Sequence, residues 1–242
     1  MSYNNYIFIS ESEKDNPIYR IISFRRLYRI IKNKKLSLSR PRIWEDPYEN
    51  FYLNCPFKID NEIVDFAGKD DIFAQCWSLE KESDALWQIY SYKKNGVRIE
   101  TTPRKLLDAL SKNFENPKVF CFIGKVQYKK REELIPSLKK ISPFNSNGSG
   151  IAEPLLYKLN AFEHEKEYRL IYTNAKNNKS DHFHFEIEPN DLFKSLCFDP
   201  RLERKKIDSA YNRLKELGCN ISLEYSNLYT PQEKTIFLIN PP

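Results

Sequence analysis

The sequence predicts an α+β protein, a single mixed domain over residues 1–242 with a central, largely antiparallel sheet flanked by helices. Three observations carry that prediction. Helix and strand signals alternate irregularly, with no internal repeat and no long low-complexity stretch. Sixteen Phe, fifteen Tyr and three Trp supply a core even though the mean hydropathy is −0.65. No shift in composition is sharp enough to force a boundary between two domains.

The elements follow in order. Tyr6–Ile9 and Ile18–Ile21 read as short strands. Ser23 then caps a helix whose apolar positions Phe24, Leu27, Tyr28 and Ile31 keep helical spacing, while Arg25, Arg26, Arg29 and Lys32 take the opposite face. Leu36 and Leu38 alternate with serines as a strand, before an ordered loop holding Trp44, Glu45, Asp46 and Glu49. Ile72–Trp77 reads as a buried strand, and Ser83 opens a helix that closes near Asn95-Gly96. Val97–Thr101 is the next strand, and Thr102-Pro103 starts a further helix. Val119–Tyr128 has the strongest strand signal, followed by a polar helical stretch and a flexible loop over residues 143–150. Pro154–Phe162 is expected to be helical, and Tyr168–Thr173 a strand paired antiparallel with Phe183–Ile187. A long helix Leu202–Leu217 ends at Gly218, and strands Ile221–Tyr225 and Thr235–Ile239 close the chain.

Composition excludes several classes. The six glycines form neither G-x-G-x-x-G nor a P-loop, which disfavours Rossmann and P-loop nucleotide enzymes. Five isolated cysteines, with no C-x-x-C pair, argue against a disulfide framework and a cysteine-based zinc site. No stretch approaches the roughly 20 apolar residues of a membrane span, and the opening residues lack a signal-peptide pattern, so a soluble, cytoplasmic protein is expected. The net charge of +6 favours anionic partners.

Four groups of residues could carry chemistry. In Glu163-His164-Glu165-Lys166-Glu167-Tyr168-Arg169, strand alternation would put Glu165, Glu167 and Arg169 on one face. Two carboxylates so placed, with a cation beside them, suit the stabilisation of a cationic sugar-like transition state; the alternative is a solvated strand end with cross-strand ion pairs. Trp87 and Tyr90 lie three apart on one helix face, either as core or as a stacking surface for a planar ring. Tyr19-Arg20 places an arginine in an apolar strand, where it is either half of an ion pair or a phosphate ligand. Arg25, Arg26, Arg29 and Lys32 form a solvated face or a nucleic-acid contact. Metal signals are weak: His182-x-His184 has one close acid, and Asp46 with Glu49 is a small acidic loop, so no metal is expected.

Tyr19–Phe24, Lys35–Ser39 leading to Glu45-Asp46-Pro47-Tyr48-Glu49, Cys76-Trp77-Ser78, Leu86–Tyr90 with Asn95–Glu100, and Phe162–Arg169 together resemble the bacterial family catalogued as domain of unknown function 2971, over roughly residues 18–225. The chain departs from that pattern at Glu45, Gln88 and Cys197-Phe198-Asp199. The order of an early Arg, a central aromatic block and a late Glu-x-Glu is similar to that of ADP-ribosyltransferases, which also implies an ADP-ribosyltransferase-like fold. The resemblance implies NAD as co-substrate, held by Tyr19, Arg20 and Trp87, with Tyr90 and Glu165 or Glu167 at the reacting ribose. It further implies a glycosyltransferase-class effector, a toxin or anti-phage component, that modifies a nucleic acid or protein and has an antitoxin or immunity partner. Two alternatives stand beside it: a non-enzymatic nucleic-acid-binding module using helix 24–35, and a metal-dependent nuclease using Asp46, Glu49 and Glu165.

Overall fold

Runs of alternating or continuous apolar residues account for most of the strands in a computed structural model of the chain, which describes residues 5–49, 51–143, 148–175 and 178–230. The strands are β1 (Tyr6–Ile7), β2 (Ile18–Ser23), β3 (Lys35–Ser39), β4 (Phe57–Ile59), β5 (Glu62–Val64), β6 (Phe73–Ser78) and β7 (Gly96–Thr101). They continue with β8 (Cys121–Lys125), β9 (Gln127–Lys129), β10 (Tyr157–Leu159), β11 (Glu167–Tyr172), β12 (His182–Glu186), β13 (Ser195–Phe198) and β14 (Ser222–Glu224). The helices are α1 (Phe24–Asn33), α2 (Phe51–Asn54), α3 (Asp84–Tyr90), α4 (Pro103–Ser111), α5 (Arg131–Leu138), α6 (Ser149–Ala152), α7 (Pro189–Leu192) and α8 (Arg204–Lys215). The architecture is α+β, with a large, mostly antiparallel sheet and helices against it.

The main sheet runs β1-β8-β11-β6-β2-β7-β13-β14. It divides at β6. One edge of β6 pairs with β11 over its whole length, from Glu167↔Ser78 to Tyr172↔Phe73. The other edge is shared: β2 meets it only at Tyr19↔Ser78, and β3 only at Ser39↔Ala74, with β12 continuing beyond β3. Between those two contacts the strands separate, and the space left there becomes the cavity described below.

Alternation along β11 fixes what the two sheet faces hold. Tyr168, Leu170 and Tyr172 join the larger apolar cluster with Leu27, Leu36, Phe73 and Trp77. Ile171 joins a second cluster with Ala74, Phe122, Leu155 and Leu156, and Glu167 and Arg169 share that face. Gly124 lies opposite Arg169 in the register, where a Cβ would overlap Leu156; its absence lets the turn Glu153–Leu156 sit directly on the sheet.

Local capping follows the sequence. The Ser23 side chain accepts from the Arg26 N–H, and Thr102 accepts from Lys105 N–H ahead of Pro103. Several elements differ from expectation. Phe183–Ile187 does not pair with the strand at residues 168–173; β12 pairs with β3, because Phe183 and Phe185 lie across from Leu38 and Leu36. The 119–128 segment is not one strand but a 3-10 turn followed by β8 and β9, the latter pairing with β10. Residues 154–162 do not form an α-helix: the 3-10 turn Glu153–Leu156 runs into β10 and then a second such turn, Asn160–Glu165. The helix opened by Ser83 ends at Tyr90, short of Asn95-Gly96. Thr235–Ile239 and residues 144–147 of the 143–150 loop lie outside the described residues. No helix among the described residues is long and apolar enough to cross a membrane.

Candidate active site

Where β2 and β6 separate, a cavity of about 310 Å³ opens, walled by β2, β6, the loop after β6, α3 and the end of the Asn160–Glu165 turn. Tyr19, Arg20, Tyr90, Glu165 and Glu167 all line it, although they come from three separate parts of the chain. Its size lies within the range of small-molecule sites.

One side is cationic. Arg20 projects from β2 and makes no hydrogen bond or ion pair among the described residues; burial and the neighbouring Arg26 push its proton affinity down. Arg26 reaches the same cavity from α1, and its partner is the neutral Ser37 Oγ at 3.0 Å. A third arginine in the wall, Arg98, is neutralised: it meets Glu224 at 2.9 Å and Glu82 at 3.8 Å, donates to the Lys81 carbonyl, and lies over the Tyr19 ring. The ion-pair alternative for Arg20 therefore finds no partner among the described residues, which leaves a cavity with two arginines and no anion beside them.

The opposite side is an ionic cluster of three carboxylates and two cations. Lys158, on β10, places its Nζ 2.6 Å from Glu167, 2.7 Å from Glu165 and 3.0 Å from Glu49. Arg169 donates to Glu167 at 2.8 Å, to Glu49 at 2.6 Å and to the Leu155 carbonyl at 2.6 Å, and lies over the Trp44 ring. The Tyr128 hydroxyl accepts from the Glu167 N–H, and Ser78 Oγ donates to the Glu165 carbonyl. Glu49, Lys158, Glu167 and Arg169 are buried, and Glu165 is partly exposed, at 13%.

The two carboxyls of the Glu-x-Glu pair are not equivalent. Burial, a hydrogen bond with Glu167 and that residue's negative charge push Glu165 up to about 7. Burial also opposes the charge on Glu167, yet Arg169, the Glu165 hydrogen bond and Lys158 hold it well below the usual carboxylate range. Near neutrality Glu167 is therefore the anion, and Glu165 is the member that exchanges between its protonated and ionised forms. Beside them, burial and the same carboxylates drive the Tyr90 hydroxyl upward, so it stays neutral.

The structure places the remaining candidates as follows. Trp87 does not line the cavity: it is fully buried, its Nε1 donating to Glu82 at 3.3 Å, so the core alternative holds and it forms no stacking wall. Tyr90, three residues on, is about half exposed at the cavity rim. Arg25, Arg29 and Lys32 form an exposed face of α1, from which Arg26 departs by turning into the cavity. Glu165 does not belong to the strand; Lys166, at φ 44°, turns the backbone between it and Glu167. Among Asp46, Glu49 and Glu165, two acids share the ammonium of Lys158, so a cation of the chain itself stands between them. Among the described residues no three His, Cys, Asp or Glu side chains are grouped to hold a metal ion.

Sequence reasoning missed Lys158 and the cavity role of Arg26. Reading residues 154–162 as a helix concealed Lys158, because the signal that mattered was its strand position seven residues before Glu165.

Three solved structures of the DarT protein from Thermus sp. 2.9 resemble the chain. The complex with ADP-ribosylated ssDNA is 11% identical, with a TM-score of 0.42, covering 90% of this chain and 96% of that one. The NAD+ complex gives 11%, 0.42, 90% and 97%, and the carba-NAD+ complex 12%, 0.39, 88% and 95%. No curated protein matches the chain. The family model described as protein of unknown function (DUF2971) matches residues 86–170, and over that span, which contains Tyr90, Lys158, Glu165, Glu167 and Arg169, the resemblance to this family holds.

Proposed function

We propose that the protein is an NAD-using ADP-ribosyltransferase, an effector that transfers ADP-ribose to a nucleic acid or protein. The observation that carries this reading is the cavity's polarity: Arg20 and Arg26 without an anion on one side, and a buried Glu165/Glu167 pair with the Tyr90 ring on the other. A ligand suited to both sides has an anionic part and a part that develops positive charge, as a dinucleotide does when its glycosidic bond to nicotinamide breaks.

In this reading Arg20 and Arg26 take the pyrophosphate through charge-assisted hydrogen bonds. Tyr90 lies against the nicotinamide ring. As nicotinamide leaves, the C1′ of the ribose becomes cationic, and the carboxylate charge of the pair stabilises it electrostatically. The carboxyl that accepts the proton of the incoming nucleophile belongs to the same pair. Buried dipoles and charges already in place make this stabilisation effective, since little reorganisation accompanies the charge change.

The exposed face of Arg25, Arg29 and Lys32, which has no ion-pair partner among the described residues, supports a nucleic-acid acceptor, and on its own would support the simpler reading of a nucleic-acid-binding module. A toxin or anti-phage role, with a cognate antitoxin, belongs to the same proposal and rests on the sequence resemblance.

The test is nicotinamide release from NAD by the purified protein, with bacterial lysate, RNA and single-stranded DNA as acceptors, and with Glu165→Gln and Glu167→Gln alongside. Release lost in one of these variants supports the transferase. No release with any acceptor, together with salt-sensitive nucleic-acid binding that depends on Arg25 and Arg29, removes it in favour of the binding module.

A further inference from the structure

The unusual feature of the ionic cluster is that a single ammonium serves three carboxylates. Lys158 Nζ lies within 3.0 Å of Glu49, Glu165 and Glu167, and its side chain is 6% exposed. It reaches them from β10, a strand of three residues that pairs with β9 and not with the main sheet. Phe162 lies beneath the ammonium, with the ring centroid 4.5 Å away. Arg169 is engaged differently, its guanidinium bridging Glu49, Glu167 and the Leu155 carbonyl without contacting Glu165. Of the two cations, only Lys158 touches both members of the Glu-x-Glu pair.

We propose that Lys158 is the positioning residue of this cavity: its ammonium joins Glu165 to the Glu49–Arg169–Glu167 network and thereby gives the two glutamates different work, Glu167 as the fixed anion and Glu165 as the group that exchanges a proton with whatever enters. The proposal deepens the transferase reading and rests on it for its catalytic meaning, although the placement of the proton does not require NAD.

The charge balance favours it. With all groups ionised, the three carboxylates outnumber the two cations by one, and such an excess in a buried cluster is relieved by binding one proton. Glu167 has contacts to both cations, whereas Glu165 has only Lys158, so the proton resides on Glu165. Arg20, Cys76, Tyr90 and Tyr128 also face the cluster. Burial and nearby carboxylates keep Cys76 and Tyr90 neutral, and burial with the Glu167 charge does the same for Tyr128. Arg20 remains the free cation across the cavity. Proton exchange near neutrality thus falls to Glu165. In a transfer reaction the balance is simple: Glu165 as carboxylate takes the proton of the attacking hydroxyl or ring nitrogen while that atom bonds to C1′ and nicotinamide departs with the electron pair of the broken glycosidic bond.

The experiment is a titration of ¹³C-labelled glutamate carboxyls by NMR, without NAD, on the wild type and on Glu165→Gln, Lys158→Met, Lys158→Arg and Glu49→Gln. The wild type is expected to show a carboxyl titrating near pH 7 that is missing from Glu165→Gln. Lys158→Met is expected to raise that titration by about one unit or more, because it removes the cation beside the group, and Glu49→Gln to lower it, because the ammonium is then divided between fewer acids. Lys158→Arg, which keeps the charge beside the group, should bring the titration back toward the wild-type value relative to Lys158→Met. If Lys158→Met does not fold, Glu49→Gln and Lys158→Arg decide the matter. Absence of a carboxyl titrating above about pH 6 that Glu165→Gln removes, or a titration unmoved by both Lys158→Met and Glu49→Gln, overturns the proposal. Since no NAD is present, failure of the transferase reading would leave this result standing, and failure here would leave NAD turnover to be judged separately.

Discussion

Replacing Arg20 with methionine should make the protein more stable and a poorer binder at the same time. The guanidinium stands in the cavity wall with no hydrogen bond or ion pair among the described residues, and burial and Arg26 both disfavour its charge. Leaving a desolvated polar group without a partner costs about 1–3 kcal/mol, and a charge more. Because Arg20 is only partly buried and its cavity is open, water screens part of this, so a gain of about 1–2 kcal/mol is expected from Arg20→Met. For a chain of 242 residues that corresponds to a rise in Tm of about 2–8 °C. In the proposed transferase the same change would remove a charge-assisted hydrogen bond to the pyrophosphate, worth about 1.5–3 kcal/mol, and should weaken NAD binding by roughly 10- to 100-fold. Thermal unfolding with and without NAD, together with calorimetric titration, measures both effects. A fall in Tm of several degrees would mean that Arg20 has a structural partner, and unchanged NAD affinity would mean that the anion sits elsewhere; either result refutes the reasoning.

Glu167→Gln should abolish turnover but also cost about 3–5 kcal/mol, more than an acid at a solvated strand end would, because it removes the buried carboxylate that pairs directly with both Lys158 and Arg169; chemical denaturation measures the loss. Stability should vary with pH in two opposed limbs. Glu165, raised to about 7 from 4.5, contributes stability that is full below about pH 4.5 and lost as pH rises through 7, whereas Glu167 and Glu13, both lowered, contribute stability present above about pH 4.5 and lost as pH falls. Tm measured against pH should therefore be highest in mildly acidic buffer, and Glu165→Gln should flatten only the upper limb. Asp199→Asn should destabilise by about 3 kcal/mol, since the buried Asp199 carboxylate accepts from Ser91 Oγ at 2.5 Å and from Arg201 at 2.6 Å, and that pair holds the C-terminal end of α3. Charge reversal at Arg25 and Arg29 should leave NAD turnover on its own unchanged while reducing the salt slope of any nucleic-acid binding by about one per lost phosphate contact, as filter-binding titrations over a salt series would measure.

Most of the sheet was legible because its strands are apolar on both faces or alternate cleanly, as β2, β6, β7 and β11 do. What local pattern could not supply was pairing. Phe183 and Phe185 suit β3 or the strand at residues 168–173 equally well by composition, and only the third dimension places them opposite Leu38 and Leu36. Helical spacing in 154–162 was misleading for a related reason. Leu155, Leu156 and Leu159 keep a helical period, but Leu155 and Leu156 pack consecutively against the second core cluster through a 3-10 turn set by Pro154. At the site, Arg20 and the Glu-x-Glu pair stood out because charges are rare in apolar strand surroundings. Lys158 did not, since a lysine in a Leu-Tyr-Lys-Leu run resembles an ordinary solvated position. Trp87 and Tyr90 share a helix face by spacing, yet one is core and the other rim, a distinction that depends on where α3 ends and on the Asp199–Arg201 pair beneath it.

The division of the sheet at β6 explains why the charges collect where they do. A strand paired fully on both edges presents no free backbone and leaves no gap for a ligand; β6 is paired fully only on its β11 edge. On the other edge Gln75 spans part of the opening by donating to the Ser37 carbonyl at 2.9 Å, and its own oxygen accepts from Trp77 Nε1. On the face of β6 and β11 shared by Cys76, Glu167 and Arg169, the Cys76–Glu167 end therefore borders the cavity, while Arg169 lies buried between it and the second apolar cluster. Charged groups placed there avoid displacing core side chains, but they are still drawn out of water, and so must neutralise one another. Lys158 and Arg169 do this for the acids, while Arg20 and Arg26, across the gap, have no such partner among the described residues. An unbalanced cation opposite a balanced cluster is costly in the free protein, and the cost is recovered when an anion binds between them. The same partial pairing of β6 thus favours an anionic ligand and, in the proposed transferase, puts the reacting ribose at the end of the cavity that holds Glu165 and Glu167.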